Sequence, residues 1–311
     1  MAKNTIKHFI DLNQISSDEL REIITLAKKL KKDKSALEQS KLLPYKNLAM
    51  IFEKTSTRTR ISFEVAINQL GGHAVVMNKN DTQLGKGETI EDTAKVLSRF
   101  VDGIMIRSNE HQTILELAKH SSIPVINALS DFSHPCQIMA SILTIEEHLG
   151  DISGKKLAWF GDANNVLNSY IHAAKTFGYE LNISTPNGFD FCDEEIKKAQ
   201  KLGAKISYFE NPKDAAKDAD VLITDTWISM NDAADKDEAV KEKKLKTLLP
   251  YQVNNELLQL AKKTAIFTHC LPAYRGFEVS ADVIDSKASV VFDEAENRLH
   301  VQKAILVWAM N

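Results

Sequence analysis

The sequence has few cysteines and no long apolar run, and these two absences exclude several broad classes of protein. Its 3 cysteines, Cys136, Cys192 and Cys270, lie far apart and form no C-x-x-C pair. This spacing argues against a disulfide framework and against a zinc site, and it fits a reducing compartment. No segment offers about 18 uninterrupted apolar residues for a membrane span, and residues 1–8 lack the apolar region of a signal peptide. We therefore expect a cytoplasmic protein that binds neither metal nor membrane.

The sequence also lacks an excess of charge of either sign. Its formal net charge is -3, with acidic and basic residues interspersed. It therefore has no basic surface of the kind that binds nucleic acid or an acidic membrane. Hydrophobic residues make up 43% and charged residues 26% of the chain, as in ordinary folded proteins. A small-molecule ligand is the expected partner, and 311 residues suffice for two domains.

Two series of alternating strands and helices predict the fold class. Such alternation is typical of parallel sheets, so we expect an α/β fold of two doubly wound domains, each with a central parallel sheet flanked by helices. The first domain would span residues 1–133 and the second residues 134–293, and a terminal helix at 294–311 could seal either domain. Ligands of such folds bind beyond the carboxyl ends of the strands, so the active site is expected in the interdomain cleft. The predicted strands are 48–52, 74–77, 103–106, 124–127, 156–160, 180–184, 205–209, 221–224 and 265–268.

The turn after the first predicted strand gathers groups that bind anions. Ser56, Thr57, Arg58, Thr59 and Arg60 lie there, where the next helix is about to begin. Backbone N–H groups and the helix dipole favour an anion at that end of a helix, and a guanidinium suits phosphate oxygens. The alternative is that a hydroxyl only caps the helix while both arginines are solvated. The turn by itself therefore predicts an anion site without naming the anion.

Two further turns at the same predicted sheet edge carry suitable partners. Arg107 follows the third strand, and the run His134-Pro135-Cys136-Gln137 follows the fourth. His134 could donate a hydrogen bond to a carbonyl oxygen as negative charge develops there. A surface arginine and a structural histidine are the alternatives. The convergence of three polar turns on one edge favours a binding site.

In the second series, three strand ends carry polar groups of a different character. Asn164 and Asn165 follow one strand, and the absence of a G-x-G-x-x-G motif there disfavours a dinucleotide cofactor. Asp225 could pair with an ammonium group or cap a helix. Cys270, beside His269, could be a buried small residue or a tunable thiolate. Covalent catalysis is disfavoured, because neighbours in sequence seldom adopt the geometry of a nucleophile and its base.

Taken together and in this order, four motifs resemble the ornithine carbamoyltransferase family. They are the segment 56–60, His134-Pro135-Cys136-Gln137, Asp225-x-x-x-Ser229-Met230 and His269-Cys270-Leu271-Pro272. The first two motifs are shared with aspartate carbamoyltransferases, and the last two indicate ornithine. The resemblance covers nearly the whole chain. It implies a cofactor-free enzyme of arginine metabolism, biosynthetic or catabolic, that transfers the carbamoyl group of carbamoyl phosphate to the δ-amine of L-ornithine, giving L-citrulline and phosphate.

The resemblance also implies roles for individual residues. The carbamoyl phosphate site would comprise Ser56, Thr57, Arg58, Thr59, Gln83, Arg107, His134, Gln137, Cys270, Leu271 and Arg298. Of these, the catalytic groups would be Arg58, Arg107, His134, Cys270 and Arg298. Ornithine would be bound by Asn165, Asp225, Ser229 and Met230. Gln83 would reach the site of a neighbouring subunit, because the family's basic unit is a homotrimer.

One departure from the family pattern and two alternatives remain. Asn231 stands where the family usually has glycine after Ser-Met, and asparagine tolerates positive φ better than most residues. The first alternative is carbamoyl transfer to another amine, such as aspartate, an N-acylated ornithine or putrescine. Asp225 argues for an acceptor with a free α-amino group, which the last two lack. The second alternative is a protein that binds a phosphate ligand without turnover.

Overall fold

A computed structural model describes residues 6–32, 42–79, 87–189, 193–228 and 237–311. The chain divides into two compact units, which we call unit 1 and unit 2. Unit 1 comprises Met1–Leu143 with Glu296–Asn311, and unit 2 comprises Thr144–Ala295. The first division lies ten residues beyond the predicted boundary at 133, inside a helix. The start of that helix remains with unit 1, where the Cys136 thiol donates to the backbone oxygen of Asn127 at 3.3 Å.

Unit 1 is built on a four-stranded parallel sheet with the strand order β2-β1-β3-β4. The strands are β1 (Asn47–Phe52), β2 (His73–Asn78), β3 (Gly103–Arg107) and β4 (Val125–Leu129). The helices are α1 (Ser17–Lys32), α2 (Thr57–Gln69), α3 (Ile90–Phe100), α4 (His111–His120) and α5 (Pro135–Leu149), with a 3-10 turn at Leu12–Gln14. β1, β3 and β4 are buried apolar runs, as expected of strands covered on both faces.

The N-terminal segment extends this sheet next to β4. Phe9 pairs in parallel with Ile126, donating its N–H to Val125 and accepting one from Asn127. This pairing sets the position of Asp11, two residues further along, near the carboxyl end of β4. The following helix, α1, was not among the sequence predictions, although the buried positions Leu20, Ile23, Ile24, Ala27 and Leu30 have helical spacing.

Unit 2 contains a five-stranded parallel sheet with the order β7-β6-β5-β8-β9. The strands are β5 (Lys156–Phe160), β6 (Glu180–Ser184), β7 (Lys205–Tyr208), β8 (Val221–Ile223) and β9 (Ile266–Thr268). The helices are α6 (Asn165–Phe177), α7 (Asp193–Lys201), α8 (Pro212–Ala216), α9 (Glu238–Leu248), α10 (Asn255–Leu260) and α11 (Ala281–Ile284), with a 3-10 turn at Leu249–Tyr251. The last helix, α12 (Val291–Met310), begins in unit 2 and belongs to unit 1 from Glu296 onward. The central strands pack in a core that includes Phe160, Leu222 and Phe267.

The predicted fold class is confirmed, since each unit has a parallel sheet flanked by helices. The main local difference lies at α2, which was expected from residue 61 and begins at Thr57. The cause is Ser56, whose extended backbone and hydroxyl cap the helix earlier, with the hydroxyl accepting from the Thr59 N–H at 3.3 Å. None of the helices in the described ranges has the length and hydrophobicity needed to cross a bilayer.

Candidate active site

The turn that the sequence predicts to bind an anion is the first turn of α2. Ser56 caps the helix, so the N–H groups of Thr57 and Arg58 at its start have no partner within the helix. The helix dipole adds partial positive charge at the same end. Thr59 is fully buried, whereas Arg58 is exposed. Ser56 therefore caps the helix, as the alternative interpretation expected. The N–H groups at the helix start could still bind an anion.

Arg60 takes no part in this arrangement. Its Nε lies 3.7 Å from Glu64 Oε2, one helical turn further along, and about half of each side chain is exposed (51% and 41%). Such a pair on a helix surface contributes little to stability. Of the two arginines in the motif, only Arg58 lies close enough to His134 to lower its pKa.

His134 lies in a positively charged environment. It directly precedes α5 and is 3% exposed. Burial lowers its pKa well below the ordinary value of 6.5, and the guanidinium groups of Arg298, Arg107 and Arg58 lower it further, in that order. The imidazole is therefore neutral at physiological pH. A neutral imidazole carries one N–H that can donate to a carbonyl oxygen. We call these four residues the histidine–arginine site.

Arg298 reaches this site from the far end of the sequence. It lies on α12, is 4% exposed, and donates from Nη2 to Thr59 Oγ1 at 2.7 Å. This hydrogen bond fixes the guanidinium beside the start of α2. Gln137, which is 1% exposed, occupies the first turn of α5. The predicted carbamoyl phosphate residues of unit 1 that the structure describes therefore collect at the starts of α2 and α5 and the end of β3.

Glu53 is a supporting residue that the sequence reasoning missed. It follows β1, and its Oε2 accepts hydrogen bonds from the Ser108 hydroxyl and the Asn109 N–H, both at 2.7 Å. The Glu53 N–H in turn donates to the backbone oxygen of Arg107 at 3.0 Å. Glu53 thus holds the turn that carries Arg107. An acidic residue directly after a strand was the available signal.

In unit 2, three predicted strand ends meet around Asp225. This residue follows β8 and is 8% exposed. Its Oδ2 accepts from Asn164 Nδ2 at 2.7 Å, and its Oδ1 accepts from the Cys270 thiol at 2.9 Å. Asn164 also caps α6, accepting from the N–H groups of Val166 and Leu167. Asp225 is therefore a fixed carboxylate and caps no helix in the described residues. We call Asp225, Asn164 and Cys270 the thiol–carboxylate site.

Close packing fixes the backbone around this site. Gly161 follows β5 with φ +96, and a Cβ there would lie 2.4 Å from Trp227 Nε1, so only glycine fits. Asn165 is the first residue of α6, one position after the capping Asn164. Leu271 adopts a left-handed backbone with φ 56, which is uncommon for a residue with a side chain.

His269 does not serve as a base for Cys270. Its Nδ1 accepts from the Leu271 N–H at 2.8 Å, and its Nε2 lies 3.5 Å from Glu278 Oε1, where both side chains are fully buried. Asp225, His269 and Cys270 do bring one potential metal ligand each within 4.8 Å of one another. A metal would take one ring nitrogen of His269, so it would displace either the Leu271 hydrogen bond at Nδ1 or the Glu278 contact at Nε2.

Several predicted residues lie outside the described residues: Gln83, Ser229, Met230 and Asn231. Their predicted roles stay predictions.

Comparison with known proteins gives a consistent picture. The profile described as "aspartate/ornithine carbamoyltransferase, carbamoyl-P binding domain" matches residues 7–147, and that described as "Asp/Orn binding domain" matches residues 153–309. The ornithine carbamoyltransferase of Archaeoglobus fulgidus is 50% identical over 302 residues, 97% of each chain. That of Brucella abortus is 52% identical over 307 residues, 99% of this chain and 96% of the relative. The solved ornithine carbamoyltransferase of Pyrococcus furiosus superimposes with a TM-score of 0.93 at 45% identity, covering 100% and 99% of the two chains.

The depressed pKa of His134 predicts a loss of stability in acid. Above pH 6.5 the histidine is neutral in both the folded and the unfolded chain. As the pH falls through 6.5, the histidine becomes protonated in the unfolded chain but stays neutral in the folded chain. The free energy of unfolding then decreases by up to about 1.4 kcal/mol per pH unit. Between pH 7.5 and 5.5, the melting temperature of wild type should therefore fall more than that of His134→Gln. His73→Gln, on the exposed surface of β2, should fall like wild type. Equal losses in wild type and His134→Gln would contradict the prediction.

The two described cysteines should differ in reactivity. Cys136 is fully buried, and burial raises its pKa to about 12, whereas Cys270 is partly exposed. Iodoacetamide at pH 8 should modify Cys270 in the native protein and reach Cys136 only after unfolding. Peptide mass spectrometry before and after denaturation measures both. Native modification of Cys136 at the rate of Cys270 would show the assignment to be wrong.

Proposed function

The chain belongs to the aspartate/ornithine carbamoyltransferase family, and we propose that it transfers the carbamoyl group of carbamoyl phosphate to the δ-amine of L-ornithine, giving L-citrulline and phosphate. The observation that carries the proposal is the histidine–arginine site, where three guanidinium groups act on one neutral imidazole. Such a site can hold a dianionic phosphate and donate to the neighbouring carbonyl at the same time.

In the proposed complex, carbamoyl phosphate occupies the histidine–arginine site. The hydroxyls and N–H groups at the start of α2 hold the phosphate, together with Arg58 and Arg107. Arg298 and His134 donate to the carbamoyl oxygen, with Gln137 beside them. Arg298 is suited to this role because its hydrogen bond to Thr59 already fixes it beside the phosphate-binding turn. Gln83 of a neighbouring subunit completes the set.

L-Ornithine is proposed to bind at the thiol–carboxylate site. Asp225 supplies a carboxylate for the α-ammonium group, and the amide of Asn165 contacts the amino acid backbone, together with Ser229 and Met230. Cys270 and Leu271 line the reacting end. What supports these assignments is that Asp225 and Cys270 are in direct contact and that Asp225 is nearly buried. A buried carboxylate is costly unless a cation or hydrogen-bond donors face it.

The proposed reaction is a direct displacement on an activated acyl donor, so it requires no cofactor. The neutral δ-amine attacks the carbamoyl carbon, a C–N bond forms, and the C–O bond to phosphate breaks as the tetrahedral intermediate collapses. Because an alkyl ammonium has a pKa near 10, its deprotonation at neutral pH costs about 4 kcal/mol. Cys270 and Asp225 are the residues placed to influence that proton before the attack. After the C–N bond forms, the nitrogen loses a second proton, which the departing phosphate accepts. Arg298 and His134 stabilise the negative charge that develops on the carbamoyl oxygen.

The biological unit is proposed to be a homotrimer that acts in arginine biosynthesis in the cytoplasm. Two features of unit 1 support assembly. Its edge strand β2 leaves Val75 45% exposed, and Ile61, Val96 and Phe100 on α2 and α3 are 56%, 43% and 73% exposed. Free sheet edges and exposed large apolar side chains are typical of contact surfaces. A thiol that works in its reduced form, as proposed for Cys270, fits a reducing compartment.

The identity of the acceptor is tested by assay of the purified protein. Carbamoyl phosphate is supplied with L-ornithine, L-aspartate, N-acetylornithine or putrescine in turn, and the ureido product and phosphate are both measured. We expect citrulline and an equal amount of phosphate from ornithine alone. Ureidosuccinate from aspartate would overturn the acceptor assignment. Binding of phosphate without any ureido product would favour a non-catalytic protein.

The role of Arg58 can be separated from that of its neighbour Arg60. Arg58→Gln should lower kcat by roughly 10²- to 10³-fold, because it removes a charge that faces the transferring group. Arg60→Gln is the matched control, since Arg60 lies in the same helical turn but pairs with Glu64 on the surface. It should leave kcat within about twofold of wild type, in line with the small effect of exposed charges. Equal effects of the two substitutions would argue against the proposed phosphate site.

A further inference from the structure

Asp11, His111 and Ser130 form a hydrogen-bonded chain in unit 1, beside the histidine–arginine site. Asp11 Oδ2 lies 3.1 Å from His111 Nε2, and His111 Nδ1 lies 2.9 Å from Ser130 Oγ. Asp11 is 2% exposed and Ser130 is fully buried. The residue types and their order match those of a Ser-His-Asp hydrolase. The environment of Ser130 decides whether that likeness has a chemical meaning.

Ser130 cannot act as a nucleophile. It is inaccessible to substrate, and its Oγ accepts hydrogen bonds from the N–H groups of Phe132 at 3.3 Å and Ser133 at 3.1 Å. These two bonds use both acceptor positions of the hydroxyl. A nucleophilic serine needs an accessible oxygen with a free lone pair. The three hydrogen-bonded residues therefore do not form a hydrolase site. Their role is to hold the turn that contains Ser130.

The hydrogen bonds around Ser130 indicate where the hydroxyl proton of Ser130 and the ring proton of His111 lie. With both lone pairs occupied, the Ser130 hydroxyl acts as a donor, and His111 Nδ1 at 2.9 Å is closer to it than the backbone oxygen of Ser133 at 3.4 Å. The shorter contact favours His111 Nδ1 as the acceptor. His111 then carries its proton on Nε2 and donates it to Asp11. The imidazole thus links the side-chain carboxylate of Asp11 to the turn at Ser130, more than one hundred residues later in the sequence.

That turn is the one that presents His134. Its ends are joined by a hydrogen bond from the Ser130 N–H to the Ser133 oxygen at 2.9 Å, and Asn127 Nδ2 donates to Ser133 Oγ at 2.9 Å. His134 follows Ser133 directly, and its backbone oxygen accepts from the Gln137 N–H at 3.1 Å. The position of the His134 ring therefore depends on the shape of the turn.

His111 holds the turn at three points. Besides the bond to Ser130, its backbone N–H donates to Asp131 Oδ1 at 2.8 Å, and its ring lies 5.0 Å from that of Phe132. Asp11 in turn is fixed by the pairing of Phe9 with β4.

We propose that His111 is a positioning residue for His134: through Asp11 and Ser130 it sets the turn that aims the imidazole at the carbamoyl oxygen. The inference rests on the proposed function, since it concerns how that reaction is supported. A misplaced His134 would bind substrates but stabilise the transition state less. The expected signature is a loss in kcat and in kcat/KM for carbamoyl phosphate, with little change in KM for ornithine.

Three variants test this inference. His111→Phe keeps an aromatic ring against Phe132 but removes both ring hydrogen bonds. His111→Gln restores an amide that can accept from Ser130 and donate to Asp11. His120→Phe makes the same change at the other end of α4, where His120 pairs with Glu116 on the surface. All are purified as the full chain and assayed with carbamoyl phosphate and L-ornithine.

We expect His111→Phe to lower kcat by about tenfold or more, with KM for ornithine within about twofold of wild type. His111→Gln should recover most of the loss, and His120→Phe should behave as wild type. Histidine-ring NMR gives a readout that does not need activity: the His134 signal should shift in His111→Phe and stay at its wild-type position in His120→Phe.

Two results would overturn the inference. One is a His111→Phe variant that melts at a lower temperature but keeps wild-type kcat and an unshifted His134 signal, which would make His111 merely structural. The other is a loss of kcat in His111→Phe that is equally large in His111→Gln. Failure of the proposed function would look different: wild type itself would form no citrulline, and the NMR comparison would still decide the placement of His134.

Discussion

The active-site half in unit 1 depends on bringing several positive charges to one buried, uncharged imidazole. Arg298, Arg107 and Arg58 each lower the pKa of His134, so each contributes positive potential at that ring. Two like charges about 4 Å apart repel by about 4 kcal/mol at the effective dielectric constant of a protein surface. A bound phosphate is negatively charged, so each of these positive charges is attracted to it. The charge arrangement that is costly in the empty protein therefore favours a dianionic substrate.

Parallel sheet topology makes this concentration of charge possible. All strands of unit 1 point the same way, so their carboxyl ends, and the turns that follow them, meet at one edge. Side chains with no other obvious purpose keep the turns in place. Glu53 holds the residues after Arg107, and Asn127 holds Ser133. A shift of about 1 Å in a reacting group can lower a rate a hundredfold, which explains why so many buried polar contacts surround the site.

The two units present opposite charges. Unit 1 gathers cations, whereas the central group of the unit 2 site is the carboxylate of Asp225, held by Asn164 and Cys270. This difference matches a reaction between an anionic donor and a cationic amino acid. It also explains why the phosphate motif could not name the acceptor. In the proposed assignment, unit 1 recognises carbamoyl phosphate and residues such as Asp225 select the amine.

The sequence by itself determined the fold class, the order of most strands and helices, and the identity of the polar turns. These features follow from the local spacing of apolar residues and from the residue types that end strands and begin helices. It did not reveal α1 or the support from Glu53 and His111, and it left open whether a hydroxyl caps α2, as Ser56 does. Nor could spacing alone bring Arg298 to Thr59, 239 residues earlier. Such contacts arise only when helices and strands pack, because tertiary structure sets the distances between side chains that are remote in sequence. The sequence supplied the reacting groups, and the packing decided which of them meet.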